Sequence, residues 1–234
     1  MTHISYMRAS VAALAAFALC SCKDAPTPPK APSEAPMASA PVVEAPKAAV
    51  AAPAAGADVG KPAPDFELRD LDGKSVKLSA YRGKIVVLEW FNSGCPFVKA
   101  AHGKGSLKTA AKDAMAKGVV WLAINSSAEG KQGAGVDANR EGAKKFGLSH
   151  PVLLDTNGAV GHMYGATNTP HLFVIDEAGT LVYRGAVDNS PDGEGESPTG
   201  GKLVSYVDAT LSDLAAKRPV AVPSTKAYGC GVKY

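Results

Sequence analysis

Two cysteines in the body of the chain have the clearest capacity for chemistry. Cys95 follows an apolar run and a short turn and precedes Pro96, while Cys230 lies near the end of the chain. Proline is favoured at the first position of a helix, so Cys95 is predicted at a strand-to-helix junction. The unpaired N–H groups and the positive dipole end there stabilise a thiolate. The pattern therefore predicts a nucleophile at Cys95, and the competing interpretation is a buried structural cysteine.

A carboxyl group stands within the apolar run that precedes this turn. Glu89 alternates with Val87 and Phe91, so all three are predicted on one face of a strand. Burial among apolar neighbours disfavours the charged carboxylate, and we expect a raised pKa. Such a group could act as a general acid or base near neutral pH. The competing interpretation is that Glu89 points to a polar rim or pairs with a lysine.

The elements that would position these residues alternate between strands and helices. Apolar runs and turn signals predict strands near residues 66–68, 75–78, 85–91, 119–125, 151–155, 169–176 and 180–186. Helical spacing predicts helices near 96–117, 136–146, 159–164 and 202–217. This order predicts an α/β fold, with a central mixed β-sheet flanked by helices.

The N-terminal part of the chain differs in composition from the rest. Residues 1–21 are predicted to be an export signal, because a basic start precedes an apolar segment shorter than the roughly 20 residues that span a bilayer. Residues 22–57 are rich in proline and alanine and are predicted to be a disordered tether. The folded domain is expected at 58–234.

The end of the export signal, Leu-Cys-Ser-Cys, resembles the bacterial lipobox. The resemblance implies that Cys22 is lipidated and becomes the new N-terminus; an ordinary cleaved signal peptide is the alternative. Lys23 follows it, which by resemblance to the sorting pattern of such lipoproteins favours the outer over the inner membrane. We therefore expect a bacterial cell-envelope protein, periplasmic and held to a membrane by a lipid anchor.

Charge and cysteine spacing exclude several classes of partner and cofactor. A formal net charge of +3 over 234 residues gives no indication of nucleic-acid binding. No Cys-x-x-C pair and no zinc-finger spacing of Cys and His occurs. The five histidines are scattered over predicted elements. We therefore expect no metal site and no cofactor.

Four motifs carry a family resemblance. Gly-Lys-Pro-Ala-Pro-Asp-Phe-Glu-Leu opens the domain at 60–68, and the cysteine motif lies at 90–98. Gly-Ala-Thr-Asn-Thr-Pro lies at 165–170, and the tail at 223–234 ends in Tyr-Gly-Cys-Gly-Val-Lys-Tyr. Together these resemble the AhpC/TSA "redoxin" group of thioredoxin-fold proteins, which includes peroxiredoxins and TlpA/ResA-type oxidoreductases.

The resemblance implies a thioredoxin-like fold and specific roles for several residues. The bond before Pro170 is expected to be cis, and Thr169 and Pro170 would line a groove for an extended substrate next to Cys95. Pro96 and Asn92 would border the same site. Glu89 occupies the place of a buried acid that moves protons for the thiol.

Departures from the family pattern narrow the expected chemistry. Val98 stands where thioredoxin-type reductases keep a second cysteine, so disulfide exchange confined to this motif is excluded. Leu88 and Asn92 stand at the proline and threonine places of peroxiredoxins. The hydroxyl that would orient a peroxide is therefore missing, although Asn92 could still donate a hydrogen bond.

Cys230 leaves three interpretations open: a resolving cysteine for an oxidised Cys95, a permanent structural bridge with it, or an unpaired thiol. The favoured function is a thiol-based oxidoreductase with Cys95 as nucleophile and Cys230 as distant resolving cysteine. Its substrate would be a protein disulfide or a peroxide, and its reductant an unidentified thiol. The alternative is a non-catalytic binding or scaffold domain of the cell envelope with a structural disulfide.

Overall fold

A computed structural model describes residues 56–234. The predicted export signal, Cys22 and nearly all of the predicted tether lie outside these residues. A seven-stranded mixed sheet has the strand order β2-β1-β5-β4-β3-β7-β8. The strands are β1 (Glu67–Asp70), β2 (Ser75–Lys77), β3 (Val86–Trp90), β4 (Val120–Asn125), β5 (Val152–Leu154), β7 (His171–Ile175) and β8 (Leu181–Gly185).

The central strand β3 leads directly to the cysteine motif. It pairs in parallel with β4 and antiparallel with β7, and all five of its residues are buried. Within this pairing, Glu89 lies opposite Ala123 on one side and Leu172 on the other. A strand buried on both faces reads as a near-continuous apolar run, and Glu89 is the exception in it.

Helices cover both faces of the sheet, which confirms the predicted architecture. On one face, Val87 packs with apolar residues of α1, α2 and α5. On the other, Leu88 and Trp90 pack with Val160 and Tyr164 of α4. The helices are α1 (Pro96–Gly103), α2 (Leu107–Met115), α3 (Val136–Phe146), α4 (Ala159–Tyr164) and α5 (Tyr206–Ala215), with one 3₁₀ turn at Leu78–Tyr81.

The predicted helix at 96–117 is two helices rather than one. α1 ends at Gly103 and α2 begins at Leu107. Gly105, in the break, lies so close to the carbonyl oxygen of Gly193 that a methyl group there would collide with it. The helix therefore breaks at the point where the long loop after β8 passes close to it, and glycine already weakens the helix at this point.

The last helix begins later than predicted. Leu203 and Val204 fit the apolar stripe, but both are exposed. Ser205 is the N-cap, and its hydroxyl accepts a hydrogen bond from the Asp208 N–H. The Val204 N–H instead bonds to the side-chain oxygen of Asn189 in the preceding loop. A capping residue and a loop contact thus overrule hydrophobic spacing.

The C-terminal tail returns to the cysteine motif through a second, two-stranded sheet. β6 (Asn168–Thr169) pairs antiparallel with β9 (Cys230–Gly231). In this register Thr169 lies opposite Cys230. The pairing brings together two motifs that are far apart in sequence.

Candidate active site

Cys95 lies at the predicted strand-to-helix junction. It is the N-cap of α1, and Pro96 occupies the start of the helix. The side chain is fully buried, in a small apolar cluster with Phe91 and Val98. The predicted local geometry of the cysteine motif is therefore present, with the thiol enclosed rather than open to solvent.

The proline loop faces this thiol. The Thr169–Pro170 peptide bond is cis, as the motif predicts. The Cys95 Sγ lies 3.1 Å from the carbonyl oxygen of Thr169. The hydroxyl of Thr169 is buried and has no hydrogen-bond partner within residues 56–234. Thr169 thus presents both a carbonyl and an unused hydroxyl in the immediate surroundings of Cys95.

Cys230 completes a thiol pair. Its Sγ lies 2.8 Å from that of Cys95, and both cysteines are free thiols. A disulfide bond has a length of roughly 2.05 Å, so the two sulfurs are in contact but not bonded. The half-buried Cys230 is presented by β9, directly opposite Thr169. A small movement would therefore suffice to join the sulfurs.

The two thiols differ in acidity. Burial alone would raise the pKa of Cys95, but hydrogen bonds from the Cys230 thiol and from the backbone N–H groups of Val98 and Cys230 lower it below its ordinary value. Burial and the neighbouring Cys95 raise the pKa of Cys230 to about 11. Cys95 is therefore the more acidic thiol of the pair, and Cys230 is the less acidic one.

Glu89 is not an isolated carboxyl group. Its Oε1 lies 2.7 Å from Nε2 of His102, and its Oε2 accepts a hydrogen bond of 3.0 Å from the indole of Trp121. Burial alone would raise the pKa of Glu89, but the charge and hydrogen bond of His102 outweigh burial and hold the pKa below its ordinary value. The prediction of a raised pKa is therefore wrong, because α1 brings His102 into hydrogen-bond contact with the carboxyl group.

A second histidine lies near this pair. The ring centroid of His150 is 6.1 Å from that of Trp121, and burial lowers the pKa of His150 to about 4. Neither ring nitrogen has a hydrogen-bond partner among the described residues. His150 is therefore a neutral, buried neighbour of the Glu89–His102 pair.

Asn92 holds the turn before Cys95 instead of facing a substrate. Its amide donates to the Ser127 hydroxyl at 3.1 Å and to the Gln132 carbonyl at 2.8 Å. Its oxygen accepts the Gly94 N–H at 2.8 Å. Both amide hydrogens are engaged, which argues against the predicted substrate contact and assigns Asn92 to positioning the turn.

Several site residues were missed from the sequence. His102 lies seven residues after Cys95 and four after Val98. Residues four apart share one face of a helix, so the burial of Val98 would have placed His102 toward β3. Tyr228 could have been selected from the sequence only because it lies two residues before Cys230. Its hydroxyl donates to Asp188 at 2.8 Å, a contact that joins two distant loops and has no local sequence signal.

Two further properties concern only residues 56–234. Within them, no group of three or more His, Cys, Asp or Glu side chains is placed to hold a metal ion. No helix in this range is long and apolar enough to cross a bilayer.

Comparison with known proteins places the chain in context. The sequence model described as "Redoxin" matches residues 58–202. The thiol-disulfide oxidoreductase ResA of Bacillus thuringiensis subsp. konkukian is 29% identical over 126 residues, which are 53% of this chain and 68% of that relative. ResA of Geobacillus thermodenitrificans is 34% identical over 124 residues, or 53% of this chain and 66% of that protein.

Two solved structures are similar over most of the domain. An uncharacterized conserved protein from Geobacillus kaustophilus has a TM-score of 0.66 and 32% identity, with 76% of this chain and 92% of that one covered. A hypothetical protein from Sinorhizobium meliloti 1021 has a TM-score of 0.66 and 26% identity, with 76% and 94% covered. With the strand order and the cis-proline loop described above, these similarities confirm the thioredoxin-like fold.

Proposed function

The chain belongs to the Redoxin family, and from this premise we propose that it is a thiol–disulfide oxidoreductase with Cys95 as nucleophile and Cys230 as resolving cysteine. The observation that carries the proposal is the contact of the two sulfurs at 2.8 Å. The only other cysteines of the chain, Cys20 and Cys22, precede residue 56. The similarity to ResA proteins, named as thiol-disulfide oxidoreductases, supports the same chemistry.

The proposed cycle balances with these two thiols. The Cys95 thiolate attacks one sulfur of a substrate disulfide, a mixed disulfide forms, and the other substrate sulfur leaves as a thiolate. Cys230 then loses its proton and attacks Cys95 Sγ, which releases the second substrate sulfur. The substrate gains two electrons and the protein is left with a Cys95–Cys230 disulfide. An external dithiol of unidentified structure restores the thiols.

Disulfide exchange fits the site better than peroxide reduction. The residue at the peroxiredoxin threonine place is Asn92, and its amide hydrogens are already bound to the loop. In the proposed reaction, Thr169 and Pro170 hold an extended substrate beside Cys95. In this proposal Glu89 still takes part in proton movement, and it would do so through its contact with His102.

The proposal also includes an envelope location with a lipid anchor at Cys22. Its support is the sequence pattern of residues 1–22, and an oxidising compartment would suit a redox pair of thiols. Labelling with a radioactive fatty acid would test the anchor. Incorporation should be lost in Cys22→Ser and kept in Cys20→Ser.

The experiment for the activity is reduction of insulin disulfides by the full chain with dithiothreitol as electron donor. We expect turnover by the wild-type chain and none above background in Cys95→Ser. In a single-turnover reaction of the reduced chain with insulin and no dithiothreitol, Cys230→Ser should accumulate the mixed disulfide, visible as an added mass at Cys95. Unchanged turnover in Cys95→Ser would end the proposal, and no turnover by the wild-type chain would favour a binding or scaffold role.

A further inference from the structure

The tail not only supplies Cys230 but also occupies the groove at the cis-proline loop. β9 pairs with β6, Asn168 donates its amide to the Gly229 carbonyl at 3.1 Å, and the Val232 N–H bonds to the Thr167 carbonyl at 3.1 Å. The tail is thus an extended, cysteine-bearing peptide bound along an edge strand. Because it covers the fully buried Cys95, an external substrate must take its place.

The residue before Cys230 meets a narrow steric requirement. Gly229 has φ of +105°, a region that favours glycine. A methyl group at this position would collide with the carbonyl of Thr169. The groove therefore accepts glycine, and not a larger residue, immediately before the cysteine.

The residue two before Cys230 has a polar partner. The hydroxyl of Tyr228 donates to Asp188, which is 1% exposed, and the ring centroid lies 6.4 Å from that of Phe97. The same carboxylate also accepts from the hydroxyl of Ser106. The Ser106 hydroxyl holds Oδ2 of Asp188, and the Ser190 N–H holds Oδ1, the oxygen that also accepts from Tyr228. The carboxylate is thus fixed in a position that favours a hydroxyl-bearing aromatic ring.

We propose that Tyr228-Gly229-Cys230 is an internal copy of the peptide that this groove selects. A substrate protein would present tyrosine two residues before, and glycine one residue before, its reactive cysteine in an extended segment. The tail and the substrate would compete for β6. This inference rests on the proposed thiol–disulfide exchange at Cys95 and adds to it a class of substrate.

The test uses the full chain with Cys230→Ser and three peptides activated at their cysteine as mixed disulfides with thionitrobenzoate. Lys-Ala-Tyr-Gly-Cys-Gly-Val copies residues 226–232, and the other two replace its Gly by Ala or its Tyr by Phe. The Cys95 thiolate attacks the peptide sulfur, the Cys95–peptide disulfide forms, and the old disulfide breaks. Thionitrobenzoate leaves with the electron pair as a coloured thiolate, and the Cys95 proton has already passed to solvent when the attacking thiolate formed.

We expect the Tyr-Gly-Cys peptide to react at least about tenfold faster than Tyr-Ala-Cys, since a misplaced methyl group is rejected by about this factor. It should react about fivefold faster than Phe-Gly-Cys, which lacks the charge-assisted hydrogen bond. Each rate is divided by the rate of the same peptide with glutathione. Rates from Cys95→Ser/Cys230→Ser are subtracted, which removes any reaction of Cys20 and Cys22.

Competition by the tail has its own control. Adding Tyr228→Phe to Cys230→Ser weakens the tail contact and should raise all three rates by a common factor. Tyr81→Phe, outside the site, should leave them unchanged. Equal corrected rates for the three peptides would overturn the inference while leaving the proposed function intact. No reaction of any peptide above the subtracted background would instead contradict the proposed function.

Discussion

Helix α1 takes part in two polar pairs, Glu89–His102 and Cys95–Cys230, and the two pairs differ in how far they are buried. Glu89 and His102 come from the central strand and the helix packed on it, with side chains 0% and 3% exposed. Cys95 is equally enclosed, but its partner Cys230 is half-buried on a two-residue strand at the end of the chain. The first pair is part of the core. The second pair has one partner that is partly exposed, and the proposed redox cycle would require that partner to move.

The two pairs show that the fold buries one polar pair completely and leaves one partner of the other partly exposed. A buried ion pair is costly to break, because the remaining partner is left as an uncompensated charge. The strand that carries Cys230 is only two residues long, and the residues after it form backbone hydrogen bonds with Thr167 and Ala128. The Glu89–His102 pair is therefore enclosed in the core, whereas Cys230 lies on a short, partly exposed strand.

The largest expected effect concerns the fixed pair. His102→Ala leaves Glu89 buried with the hydrogen bond from Trp121 but without its histidine partner, and should lower the free energy of unfolding by about 3–5 kcal/mol in urea titrations at pH 7. Lys104→Ala removes an exposed pair with Glu194 and serves as the matched control, with no measurable change expected. Equal losses in the two variants would show that the buried pair is not fixed as described.

His150 extends the fixed region and predicts how stability depends on pH. Burial lowers its pKa from 6.5 to about 4, so the unfolded chain takes up a proton at a higher pH than the folded one. The stabilisation is fully present above pH 6.5 and is lost as the pH falls to about 4. The shift corresponds to about 3 kcal/mol. Urea titrations at several pH values give the free energy of unfolding at each pH. Between about pH 4 and 6.5 this free energy should rise less steeply with pH in His150→Leu than in the wild-type chain. An unchanged dependence on pH would contradict the assignment.

The thiol pair predicts a smaller effect, on reactivity. The Cys230 thiol lowers the pKa of Cys95 by donating a hydrogen bond to it. Cys230→Ala removes this donor, so the pH midpoint for alkylation of Cys95 by iodoacetamide should move upward. Cys230→Ser keeps a donor at the same place and should shift the midpoint less. A midpoint that moved down or stayed fixed in Cys230→Ala would mean that the pair is not coupled in this way.

The parts of this site that sequence could predict are those with local patterns. The strand, the turn, Cys95 and Pro96 follow from apolar run length and helix-start chemistry, and the motif at Pro170 indicated the cis bond. The partners across the fold had no such signal. Glu89 meets His102 only after α1 packs on β3, and this meeting reverses the sign of the predicted pKa shift.

Tertiary contacts also explain the errors in the helices. A single helix at 96–117 is the natural reading of its composition, yet the approach of Gly193 to Gly105 divides it. The stripe that includes Leu203 is equally helical in spacing, but the Ser205 cap begins the helix after it. Periodicity describes what a segment can form alone, and these contacts decide what it forms in the fold.

The most direct test of the redox pair is a titration of Cys95 and Cys230 in the full chain. The chain would be equilibrated across ratios of reduced to oxidised dithiothreitol and of reduced to oxidised glutathione, and its free thiols trapped with a maleimide and located by mass spectrometry. The account predicts a Cys95–Cys230 disulfide that cycles between about −120 and −270 mV, the range of thiol–disulfide oxidoreductases. A bridge that stays oxidised below about −300 mV, as structural disulfides do, or one that never forms, would contradict it.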